Sequence, residues 1–233
     1  MKRSVFLTGS ATIAAATTAA NAAAVPGGEH LVVRQADFDE ASFAAIVGRP
    51  AQVRQVYEAV AFQPSVLGSI RNSLNGLQFG FGFAPGAIIA ALAGHGPSTA
   101  YSFSDYLWKK YRIGEVFALK DSDGLPIRSN VFLKSAVAYD VSANPDDEKG
   151  MYQDTSLEML QRRGTLVLTC HTAVEGIAKK LVARGYGGRA TSAREVADDI
   201  LTHLIAGAVV VPSMVATIAV LQSTYRYAYT LGG

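Results

Sequence analysis

Residues 164–173, GTLVLTCHTA, decide the fold of this chain. Within them, residues 165–169 form a short, mostly apolar run of the kind found in strands buried on both faces. Thr172 and Glu175 then have the spacing of a capping box, and the apolar residues that follow recur on one helical face. A buried strand that continues into an amphipathic helix is half of a βαβ unit, so this stretch predicts a parallel sheet covered by helices.

The same alternation of strand and helix signals continues on both sides. Further strands are predicted at residues 53–60, 87–92 and 208–211, and at the alternating Tyr225, Tyr227 and Tyr229. Helix starts are predicted where two polar residues have capping spacing: Asp37 with Glu40, Ser102 with Asp105, Thr155 with Glu158, and Ser192 with Glu195. We therefore predict one α/β domain whose mostly parallel sheet carries helices on both faces.

The first 24 residues have the layout of a cleavable signal peptide. Lys2 and Arg3 precede an apolar and small-residue run at 5–20, and A-x-A cleavage sites follow at 20–22 and 22–24. Arg3 followed by Phe6 and Leu7 also resembles a twin-arginine signal, although Lys2 replaces the first arginine. These features predict a periplasmic or secreted protein.

Three further segments complete the predicted organisation. Residues 25–50 form an N-terminal arm, residues 51–233 form the α/β domain, and residues 113–154 form a long irregular insertion within it. Removing Lys2 and Arg3 with the signal peptide leaves 19 basic and 19 acidic residues, a balance that predicts no nucleic-acid partner. No other segment has the roughly 18 apolar residues of a membrane span, so we predict no membrane association after cleavage.

Cys170 and His171 are the predicted catalytic residues. They follow the 165–169 strand and precede a helix, so they are expected at the carboxyl end of a parallel strand, where open α/β sheets bind ligands. The partial positive charge of a helix start favours a thiolate, and His171 adds to this effect if its ring points inward. A lone cysteine cannot form an internal disulfide, so a buried thiol, a reactive thiol, a metal ligand and an inter-chain disulfide all stay open.

A second predicted strand also ends in residues that could bind a ligand. His95 lies between Gly94 and Gly96 after the 87–92 strand, which places it at the same sheet edge as Cys170. The predicted ligand-binding residues are His95, Gly94, Gly96, Thr169 and Thr172. A solvated His95 in a tight turn is the competing interpretation, and His203 is interpreted as a structural or surface residue.

Cofactor motifs are missing from the sequence. It contains no G-x-G-x-x-G after a strand, Walker loop, H-E-x-x-H, C-x-x-C or G-x-S-x-G, so no cofactor is predicted. Cys170, His171 and His95 lack diagnostic metal-ligand spacing, and no metal site is predicted. Asp121 and Asp123 hint at calcium but lack the other ligands of an EF-hand loop.

Three segments together resemble the DsrE/DsrF-like sulfur-relay family, which shares its fold with the YchN-type proteins. They are the strand end at 93–96 (AGHG), residues 164–173 (GTLVLTCHTA), and the tail from 207 (GAVVVPSMVA) through 218–222 (IAVLQ) to Tyr225–Tyr229. The resemblance covers roughly residues 50–230. It implies a five-stranded, mostly parallel sheet and a homo-oligomer, either a trimer or a hexamer.

In family members that relay sulfur, the cysteine at the position of Cys170 carries a persulfide. The resemblance therefore implies a sulfur carrier, or a sulfurtransferase-like protein, whose partners are a sulfur donor and an acceptor. Together with the signal-peptide pattern, it predicts a periplasmic member of the family. A non-catalytic ligand-binding, metal-binding or assembly subunit of the same fold is the alternative. A structural protein with an unreactive Cys170 is a third hypothesis.

Overall fold

The computed structural model describes residues 32–138, 144–189 and 192–232. The predicted signal peptide lies outside these residues, as does the start of the predicted arm. Within the described residues, no helix is both long and apolar enough to cross a bilayer.

Five parallel strands form the sheet, in the spatial order β4-β3-β2-β1-β5. The strands are β1 (Val53–Ala59), β2 (Ile88–Gly94), β3 (Thr165–Cys170), β4 (Ala208–Val211) and β5 (Ala228–Leu231). Every residue of β2 and β3 is buried, as their continuous apolar runs predict. The predicted fold class, a five-stranded, mostly parallel α/β domain, is confirmed.

Helices cover the two faces of this sheet. They are α1 (Glu40–Val47), α2 (Ser65–Asn75), α3 (Asp105–Lys110), α4 (Ile113–Val116), α5 (Leu157–Arg162), α6 (His171–Ala183), α7 (Ala193–Thr202) and α8 (Met214–Ser223). Helices α1 and α8 pack on one face, around Phe43, Met214 and Leu221, whereas α2 and α5 pack on the other. A third apolar cluster joins α3, α4, α6 and α7 around Trp108.

Several helices begin at a different residue from the predicted one. The Ser192–Glu195 capping box of α7 is present as predicted. Helix α1 is capped by Asp39 rather than Asp37, and α5 by Ser156 rather than Thr155. In each of these two cases an adjacent polar residue satisfies the first turn, because cap preference alone does not separate neighbouring candidates.

Two more helix ends differ from their predicted positions. Helix α3 begins at Asp105 with Ser104, not Ser102, at the cap position. Helix α7 ends at Thr202, before the predicted stop at Gly207, because Ile205 donates its N–H to the Ser102 carbonyl instead of continuing the helix. Strand β4 is only half-buried along most of its length, since it lies at the edge of the sheet.

The predicted insertion at 113–154 contains α4 and a series of turns. Buried Asn130 anchors it, since its amide donates to the carbonyls of Tyr101 and Phe103 at 2.9 and 2.8 Å. The Asp121 carboxylate accepts the N–H groups of Asp123 and Leu125, so the calcium-like sequence forms a hydrogen-bonded turn. This insertion is thus tied to the core in its described parts.

The turn after β2 needs glycine at its first position. A Cβ at Gly94 would lie 2.7 Å from the Ser98 carbonyl oxygen, and Gly96 has φ +57°. The single Ser98 hydroxyl proton lies within hydrogen-bonding reach of both the Ala59 carbonyl and the His95 carbonyl. This close packing fixes the backbone of His95.

Gly94→Ala is therefore expected to lower the free energy of unfolding by about 1–3 kcal/mol, as overpacking of a core does. Gly68→Ala in α2 is the matched control, because a Cβ there meets nothing within 4 Å. It should be neutral or stabilise by up to about 1 kcal/mol. Urea unfolding midpoints measure both changes, and equal midpoints for the two variants would contradict the close packing of this turn.

Candidate functional site

A cavity of about 380 Å³ opens at the carboxyl ends of β2, β3 and β4. Its lining comes from the β2 turn, from one face of α6 and from the start of α8: His95, Gly96, Pro97, Phe117, Cys170, Thr172, Ala173, Gly176, Ile177, Lys180, Ser213, Met214 and Val215. This is the crevice where parallel α/β sheets bind ligands. The structure brings Cys170, His95, Gly96 and Thr172 together here.

The Cys170 sulfur accepts two backbone hydrogen bonds. The N–H of Ala173 in the first turn of α6 lies 3.4 Å from Sγ, and the N–H of Met214, the first residue of α8, lies 3.3 Å from it. Two helix starts thus direct positive partial charge at one sulfur. The side chain is 4% exposed.

Cys170 itself is the N-cap of α6, which corrects the prediction that Thr172 opens this helix. The Thr172 hydroxyl donates instead to the Pro212 carbonyl, 3.0 Å away on the segment between β4 and α8. This bond ties the starts of the two helices to each other. The two N–H donors are therefore held in place around the sulfur.

The sheet register places His95 next to Cys170. The last paired residues of β2 and β3 are Gly94 and Thr169, so His95 and Cys170 are the next residues along the two chains. His95 continues the extended backbone, with φ −138° and ψ 170°, and its N–H donates to the Ala59 carbonyl at 3.0 Å. Because strand side chains alternate, His95 shares the sheet face of Ala93, and this is the face on which Cys170 lies.

The Glu58 carboxylate holds the His95 ring, and the Tyr229 phenol holds that carboxylate. His95 Nε2 lies 2.7 Å from Glu58 Oε1, and the Tyr229 hydroxyl donates to Glu58 Oε2. The Tyr229 bond is the largest cause that lowers the pKa of Glu58, and His95 lowers it further against the opposing effect of burial. The Glu58 bond in turn raises the pKa of Tyr229.

His171 lies apart from these groups. It does not line the cavity, and its half-buried ring lies among charges of α6 and α7, namely Glu175, Arg194 and Asp198. Burial is the main cause that lowers its pKa, so the neutral ring is favoured. Its place follows from the helix start, because His171 is already the first residue of α6.

Of the other predicted ligand-binding residues, some line the cavity and some do not. Gly96 and Thr172 line the cavity, whereas Gly94 is packed against the backbone of Ser98. Thr169 is fully buried on the opposite sheet face from Cys170, since the two are consecutive strand residues.

Sequence reasoning missed Glu58, Tyr229 and Lys180. Lys180 lies two turns after Thr172 on the face of α6 that also presents Gly176 to the cavity, and its ammonium lies 4.9 Å from the Phe117 ring centre. A Cβ on Gly176 would meet nothing within 4 Å, so this face leaves open space. The helical spacing from Thr172 could have predicted that Lys180 lies on the same face of α6. The positions of Glu58 and Tyr229 could be predicted only from the pairing of the strands.

Across the described residues, no group of three or more His, Cys, Asp or Glu side chains is placed to hold a metal ion. No family model, curated protein or solved structure matches the chain. The function of the protein is therefore inferred from the chemistry of the cavity.

Tyr229→Phe is expected to reduce stability most near neutral pH. The folded-state pKa of Glu58 is lowered, so its contribution is present above the unfolded value and is lost as pH falls through the folded one. Losing the Tyr229 bond raises that folded pKa and should cost less than about 1 kcal/mol at neutral pH, because Tyr229 is 42% exposed and solvent screens the bond. Urea unfolding across a pH series measures this, and a loss that grew toward acid pH would contradict the assignment.

Proposed function

We propose that this protein carries sulfane sulfur on Cys170 as a persulfide, in the manner of the DsrE/DsrF-like family. The observation that supports this most is the pair of backbone N–H groups, from α6 and α8, that converge on the Cys170 sulfur. They favour an anionic sulfur without adding a group that competes for a sulfur donor. An anionic outer sulfur of a persulfide would be favoured by the same helix starts and by Lys180.

The transfer step is a displacement at sulfur. The Cys170 thiolate attacks the outer sulfur of a donor such as thiosulfate, the new S–S bond forms, and sulfite leaves with the electron pair of the broken S–S bond. Charge balances, since a thiolate and a thiosulfate dianion give a persulfide anion and a sulfite dianion. A second thiolate, from an acceptor, then removes the outer sulfur by the same kind of exchange.

The cellular setting belongs to the same proposal. The signal-peptide pattern favours a periplasmic or secreted carrier, and the family resemblance favours a trimer or hexamer whose partners are a sulfur donor and an acceptor. Thiosulfate and polysulfide are sulfur donors of the kind that this proposal requires.

Incubation with thiosulfate should add the mass of one sulfur atom to Cys170, and a thiol reductant should remove it. Intact-mass spectrometry followed by peptide mapping measures this. Cys170→Ser is the control, because a serine oxygen still accepts the two N–H bonds and keeps the cap of α6. An unmodified Cys170 that also resists alkylation in the folded protein would contradict the carrier proposal.

A second candidate, a non-catalytic binding subunit, is favoured by the size and walls of the cavity. A volume of about 380 Å³ exceeds the needs of a small inorganic anion and lies in the range of organic ligand sites. Phe117, Ile177, Met214 and Val215 make its walls largely apolar, and Lys180 adds one positive charge. Such a site fits a small organic anion.

On this second function, an apolar anion such as anilinonaphthalene sulfonate should bind with unchanged affinity to Cys170→Ser. Gly176→Leu should weaken binding, because a leucine side chain fills the open space beside Lys180. Gly176→Ala is the matched control and should bind normally. Fluorescence titration measures all three, and equal affinity of the leucine and alanine variants would exclude this cavity as the binding site.

A further inference from the structure

The chain of hydrogen bonds Tyr229–Glu58–His95 extends from the sheet edge to the candidate site. We propose that His95 is the acid–base group of the Cys170 site and that Glu58 and Tyr229 are the residues that position it. Neither Glu58 nor Tyr229 lines the cavity, so both would act through His95. The role of His95 toward Cys170 rests on the cavity that both residues line, whereas its use in sulfur transfer rests on the proposed function.

The partners of Glu58 assign the two ring nitrogens of His95. An ionised carboxylate only accepts hydrogen bonds, so Nε2 carries the proton that is donated to Glu58 Oε1 at 2.7 Å. Nδ1 is then the nitrogen that gains and loses a second proton. Glu58 stabilises the doubly protonated ring, as the carboxylate of a nucleophile–histidine–acid arrangement does.

Burial strengthens this arrangement. The side chains of Glu58 and His95 are only 18% and 24% exposed, so solvent screens their interaction weakly. Tyr229 on β5 occupies the second carboxylate oxygen, which keeps Glu58 ionised and fixes its orientation. One network thus spans β5, β1 and the turn after β2, and it ends at His95 in the cavity that Cys170 also lines.

Titratable groups face His95 from several elements of the described chain. Glu58 on β1 bonds it directly, Tyr229 on β5 reaches it through Glu58, and Cys170 and Lys180 line the same cavity. The part of α8 that lines the cavity contributes Ser213, Met214 and Val215, which carry no charge. Lys180 thus brings a positive charge to the surroundings of His95, and Glu58 brings a negative one.

The proton balance of sulfur transfer is then complete. In the cavity that both residues line, His95 Nδ1 takes the proton of the Cys170 thiol through one intervening water, and the thiolate attacks the outer sulfur of thiosulfate. As the donor S–S bond breaks, its electron pair leaves on sulfite, which takes the proton from Nδ1. A neutral thiol and a thiosulfate dianion thereby become a persulfide anion and a hydrogen sulfite anion, and His95 is regenerated.

The test is the pH dependence of Cys170 alkylation by iodoacetamide, which requires no sulfur chemistry. The rates are compared for the unchanged chain, His95→Gln, Glu58→Gln and Tyr229→Phe. Glu175→Gln is the matched control, because it removes a carboxylate of α6 that lies near His171 and outside the cavity. Urea midpoints establish that each variant is folded, and thiosulfate loading is measured in parallel.

His95→Gln should slow alkylation near neutral pH by roughly 100-fold, the lower end for a positioned acid–base group. Glu58→Gln should slow it by about tenfold, as loss of the partner that orients a functional histidine does. Tyr229→Phe should shift the acidic part of the curve of alkylation rate against pH to higher pH, since Glu58 then protonates more easily. The rate near neutral pH should change little. Glu175→Gln should leave the profile unchanged.

Profiles of Glu58→Gln and Tyr229→Phe that superimpose on the unchanged one would overturn the inference. So would an equal effect of Glu175→Gln, because the carboxylates would then act only through their general charge. If the profiles shift as expected but thiosulfate adds no sulfur, the inference about Cys170 stands and the carrier function fails. If thiosulfate adds sulfur but the profiles do not shift, the carrier function stands and the role of His95 fails.

Discussion

The register of the three central strands is the constraint on which the candidate site depends. Pairing of Glu58 with Ala93, and of Gly94 with Thr169, sets Glu58, His95 and Cys170 on one sheet face at its carboxyl edge. Because side chains alternate along a strand, a slip of one residue would turn any of the three to the opposite face. Two contacts fix where β2 ends: the His95 N–H donates to the Ala59 carbonyl, and Gly94 packs against the Ser98 carbonyl.

The sheet was predictable because its central strands carry the strongest local signals. The segments around β2 and β3 are short apolar runs between glycines and helix starts, and such runs have few other stable solutions in a chain of alternating elements. The expectation that His95 and Cys170 meet at one edge followed from the rule for parallel sheets, without any side-chain detail. The strands that were predicted most directly are thus the ones that are buried on both faces of the sheet.

Side-chain direction was less predictable, since it depends on single residues at the helix starts. Because Cys170 rather than Thr172 caps α6, His171 enters the first helical turn and lies near α7 instead of the cavity. The Thr172 hydroxyl is engaged by the Pro212 carbonyl, a partner 40 residues away that no local pattern reveals. The Tyr229–Glu58–His95 network likewise joins three separate parts of the chain, so one sequence without the strand pairing gives no sign of it.

The near-complete burial of Cys170 is consistent with a sulfur carrier. Burial removes the sulfur from water, and the N–H donors of Ala173 and Met214, at the starts of α6 and α8, replace part of the lost solvent. A buried sulfur is also shielded from oxidants, which attack exposed thiolates first. A persulfide would place its reactive outer sulfur about 2 Å beyond Sγ, one S–S bond length. In the cavity that Cys170 lines, where Gly176 leaves open space, that outer sulfur would be more accessible than the cysteine that holds it.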